Sequence, residues 1–130
     1  MTDKRQDDRS IPDREDLLRW IIDDWLTTDK TTGEKRIKSS AFSDRQGEIS
    51  VDLSSETTVE ETFARGPDTT VGVIAVVAGY ARSLDQIVVR DPIPDNRAHA
   101  LICGTQTKST RRKLAKASQW KCRGGEPPQE

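Results

Sequence analysis

The sequence has few of the residues that most often act in catalysis, bind metals or form disulfide bonds. It contains two cysteines and one histidine, and only 5% of its 130 residues are aromatic. A disulfide scaffold of this size usually has four or more cysteines, and zinc sites need cysteines or histidines in closely spaced pairs, which this sequence lacks. We therefore expect two reduced thiols, no metal site and no cofactor.

Long apolar runs and known catalytic motifs are also missing. No stretch approaches the about 18 consecutive apolar residues of a membrane span, and the charged start lacks the apolar segment of a signal peptide. The chain has neither a glycine-rich phosphate loop nor a nucleophile elbow. These absences predict a cytoplasmic protein without membrane contact. They leave an enzymatic role open, because many active sites have no linear motif.

Composition predicts one domain with unpacked ends. Apolar residues make up 32% of the chain and charged residues 33%, so the chain is more polar than most globular proteins. Part of it is therefore expected to stay outside a core, and the two ends are its most polar segments. We predict disordered tails at residues 1–10 and 123–130 around a single domain at residues 11–122.

Periodicity predicts an α+β fold, a single small mixed sheet with helices packed around it and with N- and C-terminal helices flanking it. The first helix follows Ser10, because leucine, isoleucine and tryptophan recur at spacings of three and four up to residue 26. The last helix begins at Thr107 or Ser109 and ends near Trp120. Strands are predicted at residues 39–42, 48–53, 71–77, 86–90 and 98–103, with short helices at residues 58–63 and 78–84.

Two groups of polar residues are candidates for a ligand-binding or catalytic site. His99 follows a proline-fixed turn that Asp91 begins, and it is either a general acid or base or a residue that hydrogen-bonds a backbone carbonyl of that turn. The second group consists of Arg36, Ser39, Ser40 and Ser50, and an arginine beside hydroxyls suits a phosphate or a carboxylate. Alternatively, the residues of this second group are solvent-facing positions of strands without a ligand.

Charge is divided unevenly along the chain. Residues 105–123 contain seven basic and no acidic residues, whereas residues 1–30 contain nine acidic and six basic ones. Three interpretations of the basic helix are open. It binds nucleic acid through phosphates, it docks on an acidic protein surface (the chain's own first helix or that of a second copy included), or it is a solvated face. The candidate partner-binding residues are Arg111, Arg112, Lys113, Lys116 and, as an interface anchor, Trp20.

Several segments together resemble a family of small uncharacterised bacterial proteins. They are residues 17–21 (LLRWI), 39–42 (SSAF), 48–52 (EISVD), 91–100 (DPIPDNRAHA) and 112–115 (RKLA). The resemblance spans residues 17–120 and has no activity attached to it. It implies a compact bacterial cytoplasmic protein, and it favours a single site formed by Arg36, Ser39, Ser50, Asp91 and His99.

Three functions follow as hypotheses. The leading one is a non-enzymatic protein-interaction subunit or adaptor of a bacterial multi-protein assembly, a defence-type system being one example, because the charges are segregated and no catalytic motif is present. The second is a nucleotide- or nucleic-acid-acting enzyme or ligand-binding domain that uses His99 and Arg36 in one pocket. The third is nucleic-acid binding through the basic C-terminal helix. A homo-oligomer is compatible with each.

Overall fold

Eight strands and three α-helices make up the computed structural model, which describes residues 6–44 and 46–123. The strands are β1 (Asp16–Ile22), β2 (Leu26–Thr28), β3 (Lys35–Ile37), β4 (Glu48–Leu53), β5 (Thr70–Val77), β6 (Ile87–Arg90), β7 (His99–Cys103) and β8 (Gln119–Arg123). The helices are α1 (Val59–Arg65), α2 (Ala78–Ser83) and α3 (Lys108–Ala117), with 3₁₀ helices at Asp23–Trp25 and Ser39–Phe42. Strands β2 and β3 form a separate hairpin, and the other six form one sheet in the order β6-β7-β4-β1-β5-β8.

The predicted small mixed sheet with flanking terminal helices is wrong. Every pair of neighbouring strands in the sheet is antiparallel, the first regular element is a strand, and α3 is followed by β8 at one edge of the sheet. The mixed sheet was expected because β5, α2 and β6 follow one another closely, as in a parallel crossover. Three strands separate β5 from β6, so α2 does not connect parallel neighbours.

The predicted first helix is instead β1, which lies between β4 and β5 near the middle of the sheet. Leu17 and Ile21 are buried on one face of the sheet, and Leu18 is buried on the other. A strand that is covered on both faces does not alternate apolar with polar residues. Its apolar pairs, Leu17-Leu18 and Ile21-Ile22, therefore also satisfy the three- and four-residue spacing of a helix.

The two faces of the sheet are covered by different elements. The face named here the α3 face packs against α2, α3 and the 3₁₀ helix Ser39–Phe42, and its core includes the fully buried Phe42 and Leu114. The opposite face, named the α1 face, packs against Val59 and Phe63 of α1. Burying one large apolar side chain stabilises a fold by roughly 1.5–3 kcal/mol. Phe42 on the α3 face and Leu18 on the α1 face are both buried, so both faces contribute to the core.

Residues 39–42, predicted as a strand, form a 3₁₀ helix that Arg19 of β1 holds against the sheet. Arg19 Nε donates a hydrogen bond to the carbonyl oxygen of Ala41 (3.0 Å), and its Nη1 donates to that of Ser50 (2.7 Å). Burial lowers the pKa of Arg19 to about 10, so the guanidinium is charged at neutral pH. These contacts couple Ser39–Phe42 to β1 and β4, which sequence periodicity does not reveal.

Several predicted elements are confirmed by the structure. Strand β4 has the predicted bounds, and strands and helices occur near the other predicted positions between residues 58 and 117. Thr58 and Thr107 accept hydrogen bonds from the backbone N–H groups of Glu61 (3.0 Å) and Thr110 (3.1 Å), as expected of N-caps. Helix α3 ends at Ala117, however, so the predicted extension of that helix to residue 120 is wrong.

The two edges of the sheet differ. At β6, the backbone N–H of Asp8 donates to the carbonyl of Val88 (2.8 Å), and the N–H of Val88 donates to Asp7 Oδ1 (2.9 Å). Residues 7 and 8 belong to the predicted tail at 1–10, and here they cover an edge; residues 1–5 and 124–130 lie outside the described residues. At the other edge, β8 pairs with β5 alone among the described strands.

We expect Asp7→Asn to lower the free energy of unfolding by about 1 kcal/mol at pH 7, because it removes a charged acceptor from the Val88 N–H and from Arg82 (3.0 Å). Burial opposes ionisation of Asp7, but these hydrogen bonds outweigh it and lower its pKa from 3.8. The stabilisation is therefore complete above about pH 4 and is lost as pH falls through the folded-state pKa. Urea unfolding at pH 7 and pH 3 checks this. The exposed Asp68→Asn is the control, and an equal difference between wild type and Asp7→Asn at both pH values contradicts it.

Candidate functional site

A groove of about 700 Å³ lies between the β2–β3 hairpin, the 3₁₀ helix Ser39–Phe42 and α3. It is named here the basic groove, because five cationic side chains and no described carboxylate line it. The cations are Lys35, Arg36, Lys38, Arg112 and Lys116. Hydroxyl groups, one indole ring and two apolar side chains complete the lining, and they belong to Thr27, Ser39, Ser40, Ser118, Trp120, Ile37 and Ala115.

The hairpin places its cations in the basic groove because its apolar side chains anchor it to the core. Leu26 of β2 lies opposite Ile37 of β3, and both pack against the core of the α3 face. The turn between the strands is closed by Asp29, whose carboxylate accepts hydrogen bonds from the N–H groups of Thr32 and Thr31. These two hydrogen bonds lower the pKa of Asp29, so the turn keeps its charged acceptor at neutral pH.

Helix α3 contributes two of its predicted contact residues to the basic groove and directs the others elsewhere. Arg112 and Lys116 are four residues apart, so they lie on the same face of the helix, and both line the groove. Arg111 instead donates from Nη1 to the carbonyl of Gln106 (2.6 Å), which fixes the start of the helix. Lys113 is exposed and does not line the groove.

Among the described residues, the cations of the basic groove are not held in ion pairs, although the charge of Arg36 is close enough to Asp29 to help lower the pKa of that carboxyl. Elsewhere, arginines pair with carboxylates: Arg65 contacts Asp52 (2.9 Å), and Arg82 contacts Asp7 (3.0 Å). Within residues 6–44 and 46–123, no carboxylate forms an ion pair with any of the five groove cations. Five like charges around one concavity produce a positive potential that attracts anions.

A second pocket, of about 300 Å³, lies on the α1 face and is named the His99 pocket. Leu18, Asp52 and His99 are cross-strand partners on β1, β4 and β7, so their side chains lie side by side on that face. Ser50 of β4 also lines the pocket. Two of the predicted site residues, His99 and Ser50, are therefore brought together, although no hydrogen bond joins their side chains.

His99 is held by the turn that precedes it. Its Nδ1 lies 2.9 Å from the carbonyl oxygen of Asp91 and 3.1 Å from Asp91 Oδ2. Both partners are acceptors, so Nδ1 is the donor in these contacts. The contact with the Asp91 carbonyl is the one expected if His99 hydrogen-bonds a backbone carbonyl of the turn. The same contact orients the imidazole for any ligand in the pocket.

The predicted single polar site is divided between the two faces of the sheet. Arg36 and Ser39 line the basic groove, whose Trp120 packs against the core of the α3 face. His99 lines the other pocket, on the α1 face. The structure therefore does not bring Arg36 to His99, as the hypothesis of an enzyme that uses both residues requires.

Trp20, the predicted interface anchor, is half-buried and packed within the protein. Its ring stacks on that of Trp25, with centroids 5.8 Å apart and planes at 6° to each other, and it lines the His99 pocket. The residues of the basic groove that were not predicted as site residues include two cations, Lys35 and Lys38, and the aromatic Trp120. The two lysines flank Arg36 in one basic run, which is a signal that the sequence contains. Trp120 has no such signal, since its place depends on where α3 ends.

Neither a metal-binding cluster nor a similarity to a known protein assigns a function to the basic groove or to the His99 pocket. Within the described ranges, no cluster of three or more His, Cys, Asp or Glu side chains is arranged to hold a metal ion. None of the described helices combines the length and the apolarity that crossing a membrane requires. No family model matches the chain, and neither a curated protein nor a solved structure matches it. The family resemblance of the sequence therefore stays a prediction.

Proposed function

We propose that the protein is a non-catalytic, cytoplasmic binding module that holds the phosphate backbone of a nucleic acid in the basic groove. The observation that carries this proposal is the convergence of five cations from two parts of the chain around one concavity, none of them in an ion pair with a described carboxylate. Lysine and arginine donate charge-assisted hydrogen bonds to phosphate oxygens, and the hydroxyls of Ser39 and Ser40 add neutral donors. Contacts of this kind position a nucleic acid without reading its bases.

The side-chain composition of the basic groove favours nucleic acid over protein as the partner. Protein interfaces are depleted in lysine and have an apolar centre, whereas nucleic-acid interfaces are more polar and strongly positive. Three of the five groove cations are lysines. The large apolar side chains that are exposed, Val77, Tyr80 and Ile93, all lie outside the groove. The protein-interaction adaptor predicted from the sequence is the competing function, with an acidic protein segment in the same groove.

We expect the double variant Arg112→Glu/Lys116→Glu to lose at least about 100-fold in affinity for nucleic acid, because two phosphate contacts become repulsive. The measurement is fluorescence anisotropy of a labelled 20-nucleotide DNA, single-stranded or duplex, in 50–200 mM salt. For wild-type protein, five phosphate contacts predict a log–log salt slope of about −3.5 for a single strand and about −4.5 for a duplex. The Arg36→Glu variant should weaken binding by about tenfold with a shallower slope.

Matched controls come from the same helix. Lys108 and Lys113 are exposed on α3 but do not line the basic groove, so Lys108→Glu/Lys113→Glu changes the net charge by the same amount. We expect this control to keep most of the affinity. Equal losses in both double variants, or no binding by wild-type protein in 50 mM salt, contradict the proposal. Salt-sensitive binding of polyglutamate without binding of nucleic acid assigns the groove to an acidic protein instead.

A further inference from the structure

Trp120 is the aromatic side chain of the basic groove. It lies on β8 opposite Ile74 of β5, and its half-buried ring packs on the α3 face beside Ala115. Arg112 and Lys116 line the same groove. A positively charged groove that also presents an aromatic ring is the arrangement with which proteins bind single-stranded nucleic acid without sequence preference, because every base has a π-face.

The indole ring of Trp120 rests on the backbone of β5. A Cβ atom added at Gly72 would lie 2.6 Å from Cζ3 and 3.1 Å from Cε3 of Trp120, so the six-membered ring lies directly against that glycine. Gly72 itself is buried, and its strand β5 is paired on both sides, with β1 and with β8. The ring is therefore supported by a rigid strand, which keeps it in place when a partner stacks on its other face.

The other contact of the ring is with Arg123. The guanidinium carbon of Arg123 lies 5.0 Å from the centroid of the Trp120 ring, a cation–π contact, and the Arg123 side chain is exposed. A cation–π contact at an exposed site is weaker than the stacking of a nucleobase on an aromatic ring. A base can therefore displace the guanidinium, which then becomes available to a phosphate.

We propose that the basic groove binds single-stranded nucleic acid, with one base stacked on Trp120 in the place of Arg123. This inference rests on the proposed function and specifies its ligand. In a duplex the bases are paired and stacked on one another, so they do not reach Trp120 and only the phosphate contacts remain. A single strand gains both the stacked base and the cation that Arg123 releases.

The test uses Trp120→Leu, with Trp120→Phe as the conservative variant that keeps an aromatic ring. Ligands are a labelled 10-nucleotide oligo(dT), a mixed-sequence DNA duplex of 10 base pairs and inorganic polyphosphate, all in 50 mM salt. We expect wild-type protein to bind oligo(dT) about tenfold more tightly than the duplex and to show quenching of tryptophan emission on binding it. In Trp120→Leu the affinity for oligo(dT) should fall about tenfold and the quenching should disappear, with polyphosphate affinity unchanged. Trp120→Phe should be intermediate.

The outcomes separate this inference from the proposed function. If Trp120→Leu and Trp120→Phe bind oligo(dT) as wild type does, while Arg112→Glu/Lys116→Glu does not, the stacking is refuted and the proposed function stands. If wild-type protein binds no nucleic acid, both fail. If Trp120→Leu unfolds, two other results test the inference. One is the affinity of Trp120→Phe for oligo(dT), and the other is whether oligo(dT), but not polyphosphate, quenches the tryptophan emission of wild-type protein. Equal quenching by both ligands overturns the inference.

Discussion

Replacing Phe42 with alanine is expected to lower the free energy of unfolding by about 3–5 kcal/mol, which is the usual cost of emptying the site of a buried aromatic ring. Phe42 is fully buried, and it lies between the sheet and α3 at the end of the 3₁₀ helix Ser39–Phe42. The loss is large because Arg19 and α3 hold the surrounding backbone, so the cavity cannot collapse easily. Chemical unfolding in urea, followed by circular dichroism, measures it.

Two further variants test whether the loss of stability comes from the buried volume of Phe42. Phe42→Leu keeps most of the apolar volume and should cost about 1 kcal/mol. Tyr80→Ala removes a ring of similar size from an exposed position and should change stability by less than about 0.5 kcal/mol. A Phe42→Ala protein as stable as Tyr80→Ala would show that the 3₁₀ helix does not pack under α3 as described.

Replacing Asp52 with alanine is expected to lower the free energy of unfolding by about 3 kcal/mol, because the buried carboxylate satisfies three donors. Asp52 Oδ1 accepts from Asn96 Nδ2 (2.8 Å), and Oδ2 accepts from Thr62 Oγ1 (2.8 Å) and from Arg65 Nη1 (2.9 Å). Without Asp52, the amide of Asn96 and the hydroxyl of Thr62 are left buried with no acceptor. Helix α1 and the turn before β7 then lose their shared attachment to β4.

Arg65→Ala is the partner variant, and its expected effect is smaller. Arg65 is partly exposed, so its charge reaches solvent, and Asp52 keeps the hydrogen bonds from Asn96 and Thr62 when the arginine is removed. We expect a loss of about 1 kcal/mol. Urea unfolding of both variants checks the order, and an Arg65→Ala protein less stable than Asp52→Ala would contradict it. The expected loss is larger for Asp52→Ala because that variant leaves buried donors without an acceptor, whereas Arg65→Ala removes only the ion pair.

The part of the fold that sequence reasoning predicted is the part that local signals determine. The caps at Thr58 and Thr107 and the alternation of Ile49, Val51 and Leu53 each depend on a few neighbouring residues; both helices begin where these caps predict, and β4 has its predicted bounds. The first element was mispredicted because its type depends on strands β4 and β5, which are distant in sequence. A central strand and an amphipathic helix both place apolar residues at Leu17, Leu18 and Ile21.

The site was predicted in separate pieces for a similar reason. Arg36 with Ser39 and the basic face of α3 were each identified as candidates, but nothing local indicates that the hairpin folds back toward α3. The same long-range geometry separates Arg36 from His99, although both lie in segments that carry the family resemblance. Trp120 was not predicted as a site residue because its environment depends on where α3 ends. The helix ends at Ala117, and the next element, which contains Trp120, is a strand.

The unequal edges of the sheet limit how copies of this protein can associate through their backbones. Residues 7 and 8 already bind Val88 on the outer side of β6, so β8 is the edge of the six-stranded sheet that the described residues leave for a strand from another molecule. Two copies that meet at β8 use up each other's remaining edge. Backbone pairing through this edge of the six-stranded sheet therefore stops at a closed pair.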